Sequence, residues 1–220
     1  MGNNTLLDHL YRAPLAPTSS QAPAIFLLHG YGSNKEDLFS FVPYLPPEFG
    51  IVALNAPIGL PFGGYAWYEL EITANMERLS NLNQAKESLT LLQNNISHYC
   101  KTYKLNPQKV TAMGFSQGAI LSWTLALDHP QLVQRVIGLS GVIDPKLLAK
   151  PIAHYRGITG FASHGTEDTT IPITYPRKTV VALQKNNPNI TYKEYAAGHT
   201  INPENFQDML QWVQTYFSKG

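Results

Sequence analysis

A serine stands between two glycines at Gly114-Phe115-Ser116-Gln117-Gly118, with a short apolar run before it and a longer one after it. The first run, Lys109-Val110-Thr111-Ala112-Met113, is partly β-branched and reads as a buried strand. The second, from Ala119 to Leu127, reads as a packed helix. A residue at such a sharp strand-to-helix corner is forced into strained backbone angles. Flanking glycines remove the side chains that would clash there. The pattern predicts a nucleophile elbow, with the Ser116 hydroxyl held up at the end of a sheet beside the positive end of a helix.

Strand-like and helix-like runs alternate along the rest of the chain. Strands are expected at 24–28, 50–54, 109–113, 135–139, 158–163 and 190–195, with a weaker edge strand near 5–12. Leu82, Ala85, Leu89, Leu92, Ile96, Tyr99 and Tyr103, three and four apart, mark one face of a long helix. A last helix carries Phe206, Met209, Leu210, Val213 and Phe217 on one face, with Asn202 as N-cap and Pro203 at its first position. This alternation predicts an α/β fold in which a mostly parallel central sheet has helices on both faces, and ligands bind beyond the carboxyl ends of the strands. One domain over 1–220 is expected. Only about 20 residues separate the strands at 135–139 and 158–163, so no large cap domain is expected.

Lys and Arg number 16 against 15 Asp and Glu, a formal net charge of +1, which provides no strong field for nucleic acid or an anionic membrane surface. The single cysteine, Cys100, excludes an intrachain disulfide and fits a reducing compartment. No apolar run is long enough to span a bilayer, and Met1-Gly2-Asn3-Asn4-Thr5 has no signal-peptide pattern. A cytoplasmic protein is expected. No His-Glu-x-x-His pair or similar ligand spacing occurs, so neither a metal nor a cofactor is expected.

A serine nucleophile needs a base, and the base needs an orienting acid. On an elbow of this kind they follow in the order Ser, Asp or Glu, His. Of the seven histidines, His199 fits best. It lies in Ala197-Gly198-His199-Thr200, after the last strand and before the last helix, at the sheet edge to which Ser116 also points. For the acid, Asp168 follows the strand at 158–163 in the sequence His164-Gly165-Thr166-Glu167-Asp168. Asp144 is the alternative, although the Pro145 and helical run after it suggest a capping role. Glu167 is a third. A developing oxyanion is best held by fixed backbone N–H groups. One is expected from Gln117, directly after the nucleophile, and a second from Tyr31 in Leu28-His29-Gly30-Tyr31-Gly32, where two glycines let the backbone turn inward. His29 precedes the nucleophile and is expected to support that loop.

Together these motifs resemble the phospholipase/carboxylesterase group of α/β-hydrolases, which includes acyl-protein thioesterases and small bacterial carboxylesterases. Leu28-His29-Gly30-Tyr31-Gly32 matches the oxyanion loop, Gly114–Gly118 the elbow, His164-Gly165 with Asp168 and Pro172 the acid loop, and Gly198-His199 the base loop. The resemblance implies the α/β-hydrolase fold and a serine hydrolase of carboxylic esters or thioesters, lysophospholipids included. Ala119 departs from the second glycine that typically follows Ser-Gln-Gly in acyl-protein thioesterases. The long loop 55–70 is rich in glycine and aromatics and begins at the catalytic edge. The resemblance implies that such a loop borders the acyl group, which makes Phe62, Tyr65 and Trp67 candidate substrate-binding residues, with plain core the competing reading for Trp67. The expected partner is a small-molecule ester or thioester, and a homodimer is left open. A serine peptidase or amidase on the same triad, or a non-catalytic ligand-binding relative, are the competing functions.

Overall fold

The computed structural model describes residues 5–16, 21–72 and 78–217. The segment Met1–Asn4, read above as lacking a signal pattern, lies outside them, as does the side chain of Phe217. Seven strands form one sheet in the spatial order β1-β3-β2-β8-β9-β10-β11. They are β1 (His9–Arg12), β2 (Ala24–Leu28), β3 (Gly50–Leu54), β8 (Val110–Phe115), β9 (Arg135–Leu139), β10 (Thr159–Gly165) and β11 (Ile190–Tyr195). Only β1 runs antiparallel, against β3; the other neighbours pair in parallel. The helices are α1 (Lys35–Phe39), α2 (Leu82–Thr102), α3 (Gln117–Asp128), α4 (Thr174–Gln184) and α5 (Pro203–Phe217). Four short strands, β4 (Ile58–Gly59), β5 (Tyr65–Ala66), β6 (Leu70–Ile72) and β7 (Arg78–Ser80), form two small antiparallel pairs between β3 and α2. The expected long loop is therefore partly a hairpin.

Parallel strands covered on both faces must be apolar on both, and β2 and β3 are buried at every residue. Alternate side chains feed two layers. Phe26 and Leu28 join Val52, Leu92, Ile96 and Trp123 in a core under α2, α3 and α4. Ile25 and Leu27 join Ile51, Phe161, Met209, Trp212 and Val213 in a second core under α1 and α5. The predicted α2 face holds from Ala85 to Tyr99, all of whose named members are buried. Helix α5 starts as expected, with the Asn202 side chain accepting from the Asn205 N–H at 2.9 Å. Between β9 and β10 only two three-residue 3₁₀ turns occur, Pro145–Leu147 and Ile152–His154, so no cap domain covers the strand ends there. The helix expected after Asp144 is only the first of these turns. Asp144 caps it by accepting from the Lys146 N–H at 2.9 Å.

No helix among the described residues is long and apolar enough to cross a membrane.

Candidate active site

Strand β8 runs two residues further than its apolar pattern predicts, so Gly114 and Phe115 belong to the sheet and the chain turns at Ser116 itself. Ser116 has φ 52° and ψ −117°, a left-handed conformation that few side chains adopt. Two backbone bonds secure it: its N–H donates to Leu139 O at 2.9 Å, and its carbonyl accepts from the Ile120 N–H at 3.1 Å. The flanking glycines are needed for space. A Cβ on Gly118 would lie 1.9 Å from Leu28 O, and one on Gly114 would lie 2.2 Å from the Gly118 carbonyl. The helix start is thus pressed directly onto the end of β2.

Three side chains from three strand ends meet there. His199 Nε2 lies 2.9 Å from Ser116 Oγ. His199 Nδ1 lies 2.7 Å from Asp168 Oδ2. A carboxylate only accepts, so Nδ1 carries the hydrogen and Nε2 presents a lone pair to the serine hydroxyl. Asp168 Oδ1 accepts from the Thr170 and Ile171 N–H groups, each at 2.8 Å. The structure brings Ser116, His199 and Asp168 together, whereas Asp144 serves its turn and Glu167 is exposed.

The loop after β2 passes beside the serine. A Cβ on Gly30 would lie 3.4 Å from Ser116 Cβ, so the peptide leading to Tyr31 lines the same spot. The N–H of Gln117 begins α3, among the donors that no carbonyl of the helix can reach. His29 braces this loop. Its Nε2 accepts from the Ala56 N–H at 3.0 Å, which leaves Nδ1 to donate to Gly30 O at 2.7 Å. Burial pushes the His29 pKa down, against a smaller upward effect of the bond to Gly30.

The three candidate substrate residues divide. Phe62 is 72% exposed and Tyr65 37% exposed, and the Phe62 ring lies 6.3 Å from that of Tyr31. Trp67 corrects the expectation: it is 0% exposed and packs in the core. The reason is that every polar group on it finds a protein partner. Its Nε1–H donates to His29 O at 2.8 Å, its N–H to Gln117 Oε1 at 3.1 Å, and its carbonyl accepts from Ser88 Oγ at 2.5 Å. A large indole with its N–H satisfied is better buried than wet. The Gln117 side chain, whose Nε2 also donates to Tyr68 O at 2.7 Å, clamps this loop to the elbow. Sequence reasoning assigned Gln117 only a backbone role, because nothing in the sequence shows which loop folds back onto it.

His164 is a second residue that the sequence reading left without a role. Its Nε2 lies 3.1 Å from Asp168 Oδ2 and 2.8 Å from Ile171 O, and its side chain is 0% exposed. Its only signal was its place in the acid-loop motif. Cys100 is buried, and its thiol is pushed up to about 11 by that burial, far from the range of a reactive thiolate. Among the described residues, no group of three or more His, Cys, Asp and Glu side chains could hold a metal ion.

A family model described as Phospholipase/Carboxylesterase matches residues 13–217. Acyl-protein thioesterase 1 of Debaryomyces hansenii is 24% identical over 215 residues, which cover 89% of this chain and 92% of that protein. The crystal structure of esterase PE8 superposes with a TM-score of 0.82 at 22% identity, covering 96% of this chain and 99% of the other. The Bacillus cereus carboxylesterase does so with a TM-score of 0.82 at 18% identity, covering 97% and 96%.

Proposed function

The chain belongs to the phospholipase/carboxylesterase family, and from that premise we propose that it is a serine hydrolase cleaving carboxylic esters or thioesters through an acyl-enzyme on Ser116. The observation that carries this reading is the unbroken hydrogen-bonded series Ser116–His199–Asp168 on a strained elbow. His199 Nε2 takes the hydroxyl proton as Ser116 Oγ attacks the carbonyl carbon. Asp168 holds the ring and stabilises the imidazolium that forms. The N–H groups of Gln117 and Tyr31 take the oxyanion. Imidazolium then protonates the leaving alcohol or thiol, and water reverses the sequence to release the acid. Phe62 and Tyr65, exposed on the loop beside Tyr31, contact the acyl part. The same reading takes the chain as one domain acting in a cytoplasmic setting, supported by one sheet that carries all these residues and by a lone buried cysteine.

The test is hydrolysis of p-nitrophenyl esters of graded chain length, beside an anilide, with wild type and Ser116→Ala. Wild type is expected to turn over esters and leave the anilide, and Ser116→Ala to lose about 10⁴-fold or more. A fluorophosphonate probe is expected to label wild type and not the variant. Labelling that persists in Ser116→Ala would retire the assignment.

A further inference from the structure

We propose that His164 is a positioning residue for the acid: a buried second imidazole that shares Asp168 Oδ2 with His199 and sets how strongly the carboxylate acts on it. This rests on the reading of Asp168 as the acid.

Oδ2 faces two rings, His199 Nδ1 at 2.7 Å and His164 Nε2 at 3.1 Å. The second contact is no accident of packing. His164 Nε2 has two acceptors beside it, so its hydrogen is on Nε2: it donates to Ile171 O at 2.8 Å, with Asp168 Oδ2 in close electrostatic contact at 3.1 Å. Ile171 in turn donates its N–H to Asp168 Oδ1 at 2.8 Å. Two hydrogen bonds, Ile171 N to Oδ1 and His164 Nε2 to Ile171 O, thus seat the imidazole against Oδ2. It ties the acid loop to the end of β10, a strand paired on both sides. The other nitrogen, Nδ1, is buried with no hydrogen-bond partner among the described residues. An unpartnered buried nitrogen is unfavourable, and an apolar filler would avoid it. What the imidazole adds over such a filler is the Nε2–H.

That donor has two consequences. It aims Oδ2, and so the His199 ring, because Asp168 has no freedom left to rotate. It also draws negative charge from the carboxylate, so that His199 sees a weaker anion than it would otherwise. Other ionisable groups around the pair are Glu167 on the same loop and Glu194, paired with His164 across β10 and β11. Glu194 is held below the usual carboxylate range first by its hydrogen bonds to Arg177 of α4, with smaller effects from Tyr192, the Arg177 charge and His164.

The experiment compares His164→Leu, His164→Gln and His164→Asn, each alone and His164→Leu also combined with Asp168→Asn. The readouts are kcat and KM for a p-nitrophenyl ester across pH, with a thermal melt of every variant. Gln can place an N–H near the Nε2 position; Asn cannot reach it. His164→Leu is expected to lower kcat about 10- to 100-fold through misplacement of the acid, with KM within about twofold. The acidic limb of kcat/KM should move to higher pH, since a carboxylate no longer facing the positive end of the Nε2–H dipole favours imidazolium. His164→Gln should recover most of kcat and the limb, and His164→Asn should not. On Asp168→Asn, His164→Leu should add no further loss. The proposal is overturned if the limb stays in place and activity falls only with the folded fraction, if Asn and Gln recover alike, or if the losses add. Should His164→Leu fail to fold, the Gln and Asn pair decides. Full activity in Asp168→Asn would overturn the acid assignment and this proposal with it. A large loss there with an unmoved His164 series would overturn this proposal alone.

Discussion

Ser116, Asp168 and His199 are far apart in the chain and each is weak evidence alone, since serine and histidine are common in loops. Their order, and the strand that precedes each of them, made them readable together. Asp168 and Asp144 look alike in sequence, because both follow strands at the same edge. The geometry distinguishes them: Asp168 accepts from His199, and Asp144 from the N–H of Lys146. Asp168→Asn is therefore expected to lower kcat by about 10⁴, through loss of the correct imidazole tautomer. Asp144→Asn should change it less than about tenfold, and its stability by at most about 1 kcal/mol for a weakened cap. Parallel kinetics and melts check this; equal losses would reassign the acid. His164 was not readable, because a histidine at a strand end has the same sequence signature whether its ring faces a carboxylate or a leucine.

At the scale of elements, the loop between β3 and α2 holds aromatics in two settings that its composition cannot separate. Its aromatics look alike in sequence, yet Trp67 is buried against the loop after β2 while Phe62 stands in solvent. Trp67→Ala should remove about 3–5 kcal/mol of stability, as large-to-small core changes do, and reduce activity equally for all chain lengths. Phe62→Ala should leave stability within about 0.5 kcal/mol, as exposed substitutions do. It should weaken kcat/KM for medium-chain esters relative to acetate by on the order of 1–2 kcal/mol, the apolar area it would cover. A chain-length profile with a melt separates the two. A Phe62→Ala profile that falls uniformly would remove that residue from the acyl site.

His29 links the same elements, joining the end of β2 to Ala56 and Trp67. Its folded pKa lies below the ordinary 6.5 because burial disfavours the cation. Below about pH 6.5 the unfolded chain takes up a proton that the folded chain refuses, so this contribution to stability is present above that pH and lost as pH falls. Urea unfolding near pH 8 and near pH 5.5 should show a larger acid loss for wild type than for His29→Gln, which has no imidazole to titrate. Equal losses would mean that His29 is not the group responsible.

On the scale of the whole molecule, the site exists only while the sheet does. Its parts come from residues 30 to 199, carried on β2, β8, β10 and the segment after β11. Trp212 of α5 packs in the second core with its ring 6.1 Å from that of Phe161 on β10. Trp212→Ala should remove about 3–5 kcal/mol. Its activity and circular dichroism should be lost at the same urea concentration, as for a two-state unit. Activity that disappears well before the fold would show that the His199 loop melts on its own. Since the proposed chemistry draws on a serine, a histidine and a carboxylate alone, activity should also survive EDTA. Loss on chelation, restored by a divalent ion, would overturn it.

The sequence by itself determined the architecture and singled out the three side chains that meet at the sheet edge. Periodicities of two and of three to four, with glycines at a turn that admits no side chain, are local properties, written within a few residues of where they act. Strand β8 and helix α3 were legible for that reason, and so was Ser116 between them. Only the tertiary structure decided which neighbour each side chain meets: that Trp67 turns inward, that the Gln117 amide clamps a loop some fifty residues earlier in the chain, and that His164 reaches Asp168. These contacts depend on strand order and register, in which β8 lies beside β2 and β10 beside β11, and pairings between distant segments leave no periodicity in the chain to read.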